Sequence, residues 1–242
     1  MRTFRQYLDE SINDKGILKA IFVVGLPGAG KSYTIKQLHG VVSPRIVNTD
    51  KAAEFLATKW GKIVTSKSWG EDFKDVAHRM TANTLLGYVD GMLPLFVDGT
   101  SNDPSNILHR MGILKSLGYD IGVVFVNADV ELAIERAAAR AATSKREVDV
   151  EFIRKVARDN RANVSYLKNE ASFYREITNN GVLDDDVMQE AFTKVAGFFA
   201  APVKNPIGSR MLDEMREKKV SYLSDMIPRT VLAKKIEGWY KG

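Results

Sequence analysis

Gly25-Leu26-Pro27-Gly28-Ala29-Gly30-Lys31-Ser32 satisfies the G-x-x-x-x-G-K-[ST] pattern at every fixed position. Glycines let such a loop curl until successive backbone N–H groups point inward at phosphate oxygens. In that arrangement Lys31 neutralises the β- and γ-phosphates and the Ser32 hydroxyl ligates Mg²⁺. The expected nucleotide contacts are Gly25, Pro27, Gly28, Ala29, Gly30, Lys31, Ser32 and Tyr33. The apolar run Ala20-Ile21-Phe22-Val23-Val24 precedes the loop and a helical pattern follows it. Strand, loop and helix in that order is the context the motif requires. The pattern predicts an ATP or GTP site.

Two carboxylates close apolar strands, where an open α/β sheet presents its functional groups. Leu95-Phe96-Val97-Asp98 ends on an acid suited to the metal beside Ser32. Ile46-Val47-Asn48-Thr49-Asp50 ends on another, which could accept the proton of an attacking hydroxyl. Asp50 also leads into Lys51-Ala52-Ala53-Glu54, where it would serve equally as a helix cap. A third group is basic: Arg136 and Arg140 stand four apart on one predicted helix, and Arg146 follows in a polar segment. Planar guanidinium groups suit phosphoryl oxygens, and a flap carrying them excludes water from the reaction. The same spacing also fits a solvated helix face with i,i+4 partners. No Asn-Lys-x-Asp segment is present for reading a guanine base, and motor ATPases are usually longer. A phosphotransferase fits better.

The elements that must carry these groups alternate strand and helix, which implies an α/β fold around a mostly parallel sheet. The predicted strands are Leu18–Val24, Arg45–Asn48, Leu93–Val97, Ile121–Val126 and a weaker Phe173–Thr178. Predicted helices fall at Lys31–His39, Asp50–Lys59, Glu71–Tyr88, Pro104–Leu117, Asp129–Ala142 and Glu151–Asn169, with another from Asp184–Asp186 to Ala200. A short amphipathic helix is expected at Phe4–Asp14. Beyond the Pro202 and Pro206 punctuation, two or three short amphipathic helices form a C-terminal appendage, broken at Pro228.

Composition narrows the chemistry further. With no cysteine among 242 residues, thiolate metal sites and cysteine nucleophiles are excluded, and three scattered histidines suggest no metal cage. No apolar run approaches the roughly 18 residues of a membrane span, and no secretory signal is visible, so a cytoplasmic protein without membrane partners is expected. From Lys204 onward nine Lys/Arg meet five Asp/Glu, so +4 of the net +5 charge lies there. Such a basic tail could bind nucleic acid, although interspersed acids are more typical of a solvated helix face.

The phosphate loop, Asn48-Thr49-Asp50, Leu95-Phe96-Val97-Asp98-Gly99-Thr100 and the run Gly118 to Asn127 followed by Leu132-Ala133-Ile134-Glu135-Arg136 resemble the zeta-toxin-like kinases. They are most similar to the versions encoded by large tailed phages, which would place the protein in a host cytoplasm. The resemblance covers about residues 18–203. It implies a P-loop kinase core with a five-stranded parallel sheet sandwiched by helices, ATP and Mg²⁺ as donor and cofactor, and Asp50 as the base. It also implies a lid at about residues 136–150 with Arg136, Arg140 and Arg146 on the phosphoryl group. Zeta toxins phosphorylate a hydroxyl of a UDP-amino sugar. Polynucleotide 5′-hydroxyl kinases share the loop, the aspartate and a similar lid.

The expectation is therefore a kinase domain over residues 1–203, with residues 1–16 as an N-terminal helix, and a basic helical extension over 204–242. It would transfer the γ-phosphoryl group of ATP to a hydroxyl of a small-molecule or nucleotide-type acceptor. The alternatives are a polynucleotide or modified-base kinase and an ATP-binding interaction module. His78, Arg79 and Thr100 are the candidate acceptor contacts. Oligomeric state is left open.

Overall fold

Strands whose residues are apolar on both faces need cover on both sides, and a parallel sheet with crossover helices supplies it. In the computed structural model, which describes residues 14–40, 42–99, 103–141, 147–181 and 184–240, β1 (Lys19–Gly25) and β4 (Asp120–Asn127) are buried almost throughout. β2 (Arg45–Val47), β3 (Leu95–Asp98) and β5 (Phe173–Thr178) complete a five-stranded sheet of order β2-β3-β1-β4-β5. Every pairing is parallel. The phosphate loop thus leaves the central strand, with β3 on one side and β4 on the other.

Successive side chains of a strand alternate between faces, and the core divides accordingly. Ala20, Phe22 and Val24 of β1 join Ile121, Val123 and Phe125 of β4 in one cluster. Ile21 and Val23 join Val124 and Val126 in the other. The second cluster is closed by α1 (Lys31–Leu38) and by α7 (Asp185–Ala200), which contributes Ala191, Val195 and Phe199. The first is covered by α3 (Lys74–Asp90), α4 (Pro104–Ser116) and α6 (Val150–Glu170). A small third cluster joins α2 (Thr49–Trp60) to α3 through Ala53, Leu56, Phe73 and Ala77.

The helix expected from Glu71 begins differently. Thr65 and Ser68 form a reciprocal capping box, so a helical turn starts at Ser66. A π-helical segment, Trp69–Phe73, then connects it to α3. Glu71 and Asp72 lie in that wider turn, a start which hydrophobic periodicity does not register. Between α5 (Val130–Ala141) and α6, residues 142–146 of the expected lid lie outside the described residues, as do residues 1–13.

The C-terminal segment shares the first cluster. After Pro202 the chain enters α8 (Pro206–Lys218), a 3-10 turn (Leu223–Asp225), α9 (Arg229–Glu237) and a last 3-10 turn (Gly238–Tyr240). These contribute Leu212, Met215, Leu223, Leu232, Ile236 and Trp239 to the cluster. At Gly208 a Cβ would run into the carbonyl oxygen of Gly118, so α8 can abut the turn before β4 only through paired glycines. Further along, the Ser224 N–H donates to Asp90 at the end of α3 (2.8 Å). Trp239 is 1% exposed and stacks on Phe22 of β1, with ring centroids 6.4 Å apart.

Truncating that indole should leave a large cavity beside the central strand. Trp239→Ala is expected to destabilise the protein by about 3–5 kcal/mol, read as a lower urea midpoint. An unchanged midpoint would mean that the indole does not fasten the segment.

Candidate active site

The phosphate loop spans Leu26 to Gly30 between β1 and α1. Gly28 has φ +84°, and a Cβ there would strike the carbonyl oxygen of Ala133 on α5, so only glycine fits. Lys31 begins α1 and its ammonium donates to the carbonyl oxygens of Gly25 (3.1 Å) and Leu26 (2.9 Å). The lysine is thereby folded back over the loop whose phosphate it is expected to meet.

A cleft of about 340 Å³ opens above the loop. It is lined by Pro27, Gly28, Gly30, Lys31, Ser32 and Tyr33 from the loop and α1, with Asn48, Asp50, Lys51 and Glu54 beyond β2. Asp98 of β3 and Arg136 and Arg140 of α5 complete the wall. Groups far apart in the sequence therefore face one space. Gly25 and Ala29 belong to the same loop, outside the lining. Arg146 and Thr100 lie outside the described residues. Arg79 is exposed on α3, and neither it nor His78 lines the cleft; His78 stacks instead on Tyr240 of the C-terminal turn.

The cap of α2 is Asn48, not Asp50. Asn48 is extended, and its side-chain oxygen accepts from the Lys51 N–H (3.1 Å). Its amide nitrogen donates to Asp98 Oδ2 (2.7 Å), tying the ends of β2 and β3 together. Asp50 is the second residue of the helix and lines the cleft. Capping is thus done by a neighbour.

Arg136 is held by the loop after β5. Its guanidinium donates to the Asn179 carbonyl (2.9 Å), the Asn179 side-chain oxygen (3.3 Å) and the Gly181 carbonyl (3.2 Å). Buried Asn179 also donates through its amide to the Ala29 carbonyl (2.8 Å) of the phosphate loop. The sequence reading passed over Asn179; its signal was a polar Asn-Asn-Gly end to the fifth strand, where functional groups gather.

Ser32 and Asp98 offer a hydroxyl and a carboxylate to the same cleft, hard oxygen donors of the kind Mg²⁺ takes. Among the described residues no cluster of three or more His, Cys, Asp or Glu could hold a metal. Mg²⁺ normally binds through one or two protein oxygens, with phosphates and water completing the shell. The donor set fits such an ion.

On the far side of Thr49 stands an aromatic group. The Tyr240 ring stacks on His78, with centroids 3.8 Å apart and planes within 9°. Trp69 meets the same imidazole edge-on at 5.8 Å. Arg110 of α4 lies over the Tyr240 ring at 5.1 Å and over Trp239 at 5.6 Å. Burial, reinforced by the Arg110 and Lys74 charges and opposed by Asp75, lowers the His78 pKa to about 4.

Residues 7–187 match the family model described as Zeta toxin. No curated protein sequence matches the chain. Among solved structures, a candidate kinase from Chloroflexus aurantiacus is 13% identical with TM-score 0.52, covering 73% of this chain and 98% of its own. The PezAT toxin–antitoxin system of Streptococcus pneumoniae contains a chain 19% identical with TM-score 0.50, covering 89% of this chain and 94% of its own. A chain of an RNA repair complex is 17% identical with TM-score 0.50; the match covers 66% of this chain and 48% of that one. At these identities the likeness is one of fold. No described helix is long and apolar enough to cross a membrane.

A histidine whose folded pKa of about 4 lies below its ordinary value of 6.5 favours folding while neutral. Its contribution is complete above pH 6.5 and disappears as pH falls toward 4. His78→Phe keeps an aromatic ring and cannot protonate. The urea midpoint of the parent should therefore fall more steeply than that of His78→Phe across this window; parallel curves would contradict the assignment.

Proposed function

The chain belongs to the zeta toxin family, and on that footing we propose an ATP·Mg²⁺-dependent kinase that phosphorylates a hydroxyl of a small-molecule or nucleotide-type acceptor. One observation carries the reading: Lys31, Asp50, Asp98, Arg136 and Arg140, from four separate strand–helix junctions, line a single cleft. A binding module would need the loop and its lysine but not a carboxylate beside it.

Each group has a task in this reading. Backbone N–H groups of the phosphate loop hold the donor, and Lys31 neutralises its β- and γ-phosphates. Ser32 and Asp98 would hold Mg²⁺, which would supply further charge neutralisation when bound. Asp50 takes the proton of the acceptor hydroxyl as that oxygen bonds to the γ-phosphorus. The bond to the bridging oxygen breaks and ADP departs. Arg140, exposed on α5, can reach the transferring group, while Arg136 braces the wall against the loop after β5. Closure of this side would exclude water and favour the hydroxyl.

The acceptor is sought by transfer from γ-³²P-ATP·Mg²⁺ to UDP-amino sugars, nucleosides and 5′-hydroxyl oligonucleotides. With the phosphorylated acceptor as readout, Asp50→Asn should lower transfer by about 10²–10⁴-fold while ATP affinity stays near normal. Stability should change by less than about 0.5 kcal/mol, because Asn48 carries the cap. Lys31→Ala should instead weaken ATP binding or turnover sharply. Parent-like transfer by Asp50→Asn would remove the base from this account.

A further inference from the structure

The hydroxyl oxygens of Thr49 and Tyr240 are 2.7 Å apart, a hydrogen bond between residues 191 positions apart. Thr49 is the first residue of α2 and immediately precedes Asp50. This first helical turn is held from two sides. Asn48 ties it to Asp98 on β3, and Tyr240 ties it to the C-terminal turn. We propose that Tyr240 is a positioning residue: the C-terminal turn completes the active site by fixing, through Thr49, the helix start that aims Asp50.

Two features make the turn a fixed strut rather than a removable plug. Trp239 is buried against Phe22 of the central strand, so its neighbour cannot swing without opening the core. The backbone around it is pinned as well. The Arg110 Nε–H donates to the Trp239 carbonyl (3.1 Å), and His109 donates to the Gly238 carbonyl (2.8 Å). Tyr240 then lies between the His78 face and the Arg110 guanidinium, which leaves its ring little freedom. Burial raises its pKa, so the phenol keeps its proton and can donate to Thr49.

The idea rests on the role of Asp50 given above, and the geometry connects the two. Asp50 follows Thr49 in the same turn, so a shift of Thr49 is passed directly to the carboxylate. Misplacing a reacting group by about 1 Å can cost about 10²-fold in rate. The C-terminal extension would therefore act in catalysis without touching the donor or the acceptor.

The test uses the full chain, the same γ-³²P-ATP·Mg²⁺ assay and the best acceptor of that panel. Tyr240→Phe keeps the ring and removes only the hydroxyl; Thr49→Val removes its partner, and Thr49→Ser keeps it. Tyr240→Phe and Thr49→Val should each lower kcat by about tenfold or more with KM for ATP unchanged. The Tyr240 hydroxyl also meets Thr81, so the double variant should be no worse than Tyr240→Phe alone, which has already lost the bond that Thr49→Val deletes. Thr49→Ser should retain most of the activity. In an Asp50→Asn background, Tyr240→Phe should have no further effect. Parent-like kcat in Tyr240→Phe, or full additivity of the two deletions, overturns the proposal while the kinase reading stands. A parent chain that transfers phosphate to nothing in the panel defeats the kinase reading, and this inference with it.

Discussion

Asp120 is a buried carboxylate at the base of β4, and the arrangement of the chain follows from satisfying it. It accepts from Lys19 Nζ (2.6 Å), the Lys204 N–H (2.8 Å) and the Asn205 N–H (2.7 Å). Lys19, itself 2% exposed, also donates to the Pro202 carbonyl (3.0 Å). Removing one member of a buried ion pair strands the other, at a cost of about 3–5 kcal/mol. The pair therefore locks the first strand to the fourth, and it also fixes the path of the chain after α7. Asn205 then caps α8 and donates to the carbonyls of Lys115 and Tyr119. Everything beyond it starts from this knot.

At the opposite end of the strands, neutral amides do a comparable job. An asparagine side chain offers donor and acceptor together and adds no charge. Asn48 caps α2 with its oxygen and holds Asp98 with its nitrogen. Asn179 holds Ala29 with its nitrogen and Arg136 with its oxygen. The loops around the cleft are thus stitched together without adding a further ion. The charge in the cleft is left to Lys31, Lys51, Asp50, Glu54, Asp98 and the two arginines.

What could be read in the sequence was local or periodic. The phosphate loop announces itself by spacing, the buried strands by their apolar runs, and Asp103 before Pro104 by capping chemistry. A five-stranded parallel sheet followed from a resemblance to a known fold, but its strand order did not. What escaped was long-range or depended on competition between neighbours. Asn48 and Asp50 are both good caps, and only the backbone at Asn48 decides between them. Nothing near Asn179 indicates that it will meet Ala29, 150 positions away. The basic charge after Lys204 is plain in the sequence, whereas the joining of the apolar and aromatic residues between those charges to the core is not. Composition registers a lysine more readily than a buried tryptophan.

The stacking of Phe22 on Trp239 joins the first strand of the sheet to the last described turn. During synthesis, Phe22 leaves the ribosome long before its partner exists. Proteins dominated by contacts between distant positions close them late, because a large loop must be ordered before the contact is rewarded. Until residue 239 is made, Phe22 lacks its stacking partner. The phosphate loop, whose long-range partners include Ala133 and Asn179, can form sooner. The loop's contacts with Ala133 and Asn179 would therefore be complete before Tyr240 exists to brace the helix that begins at Thr49.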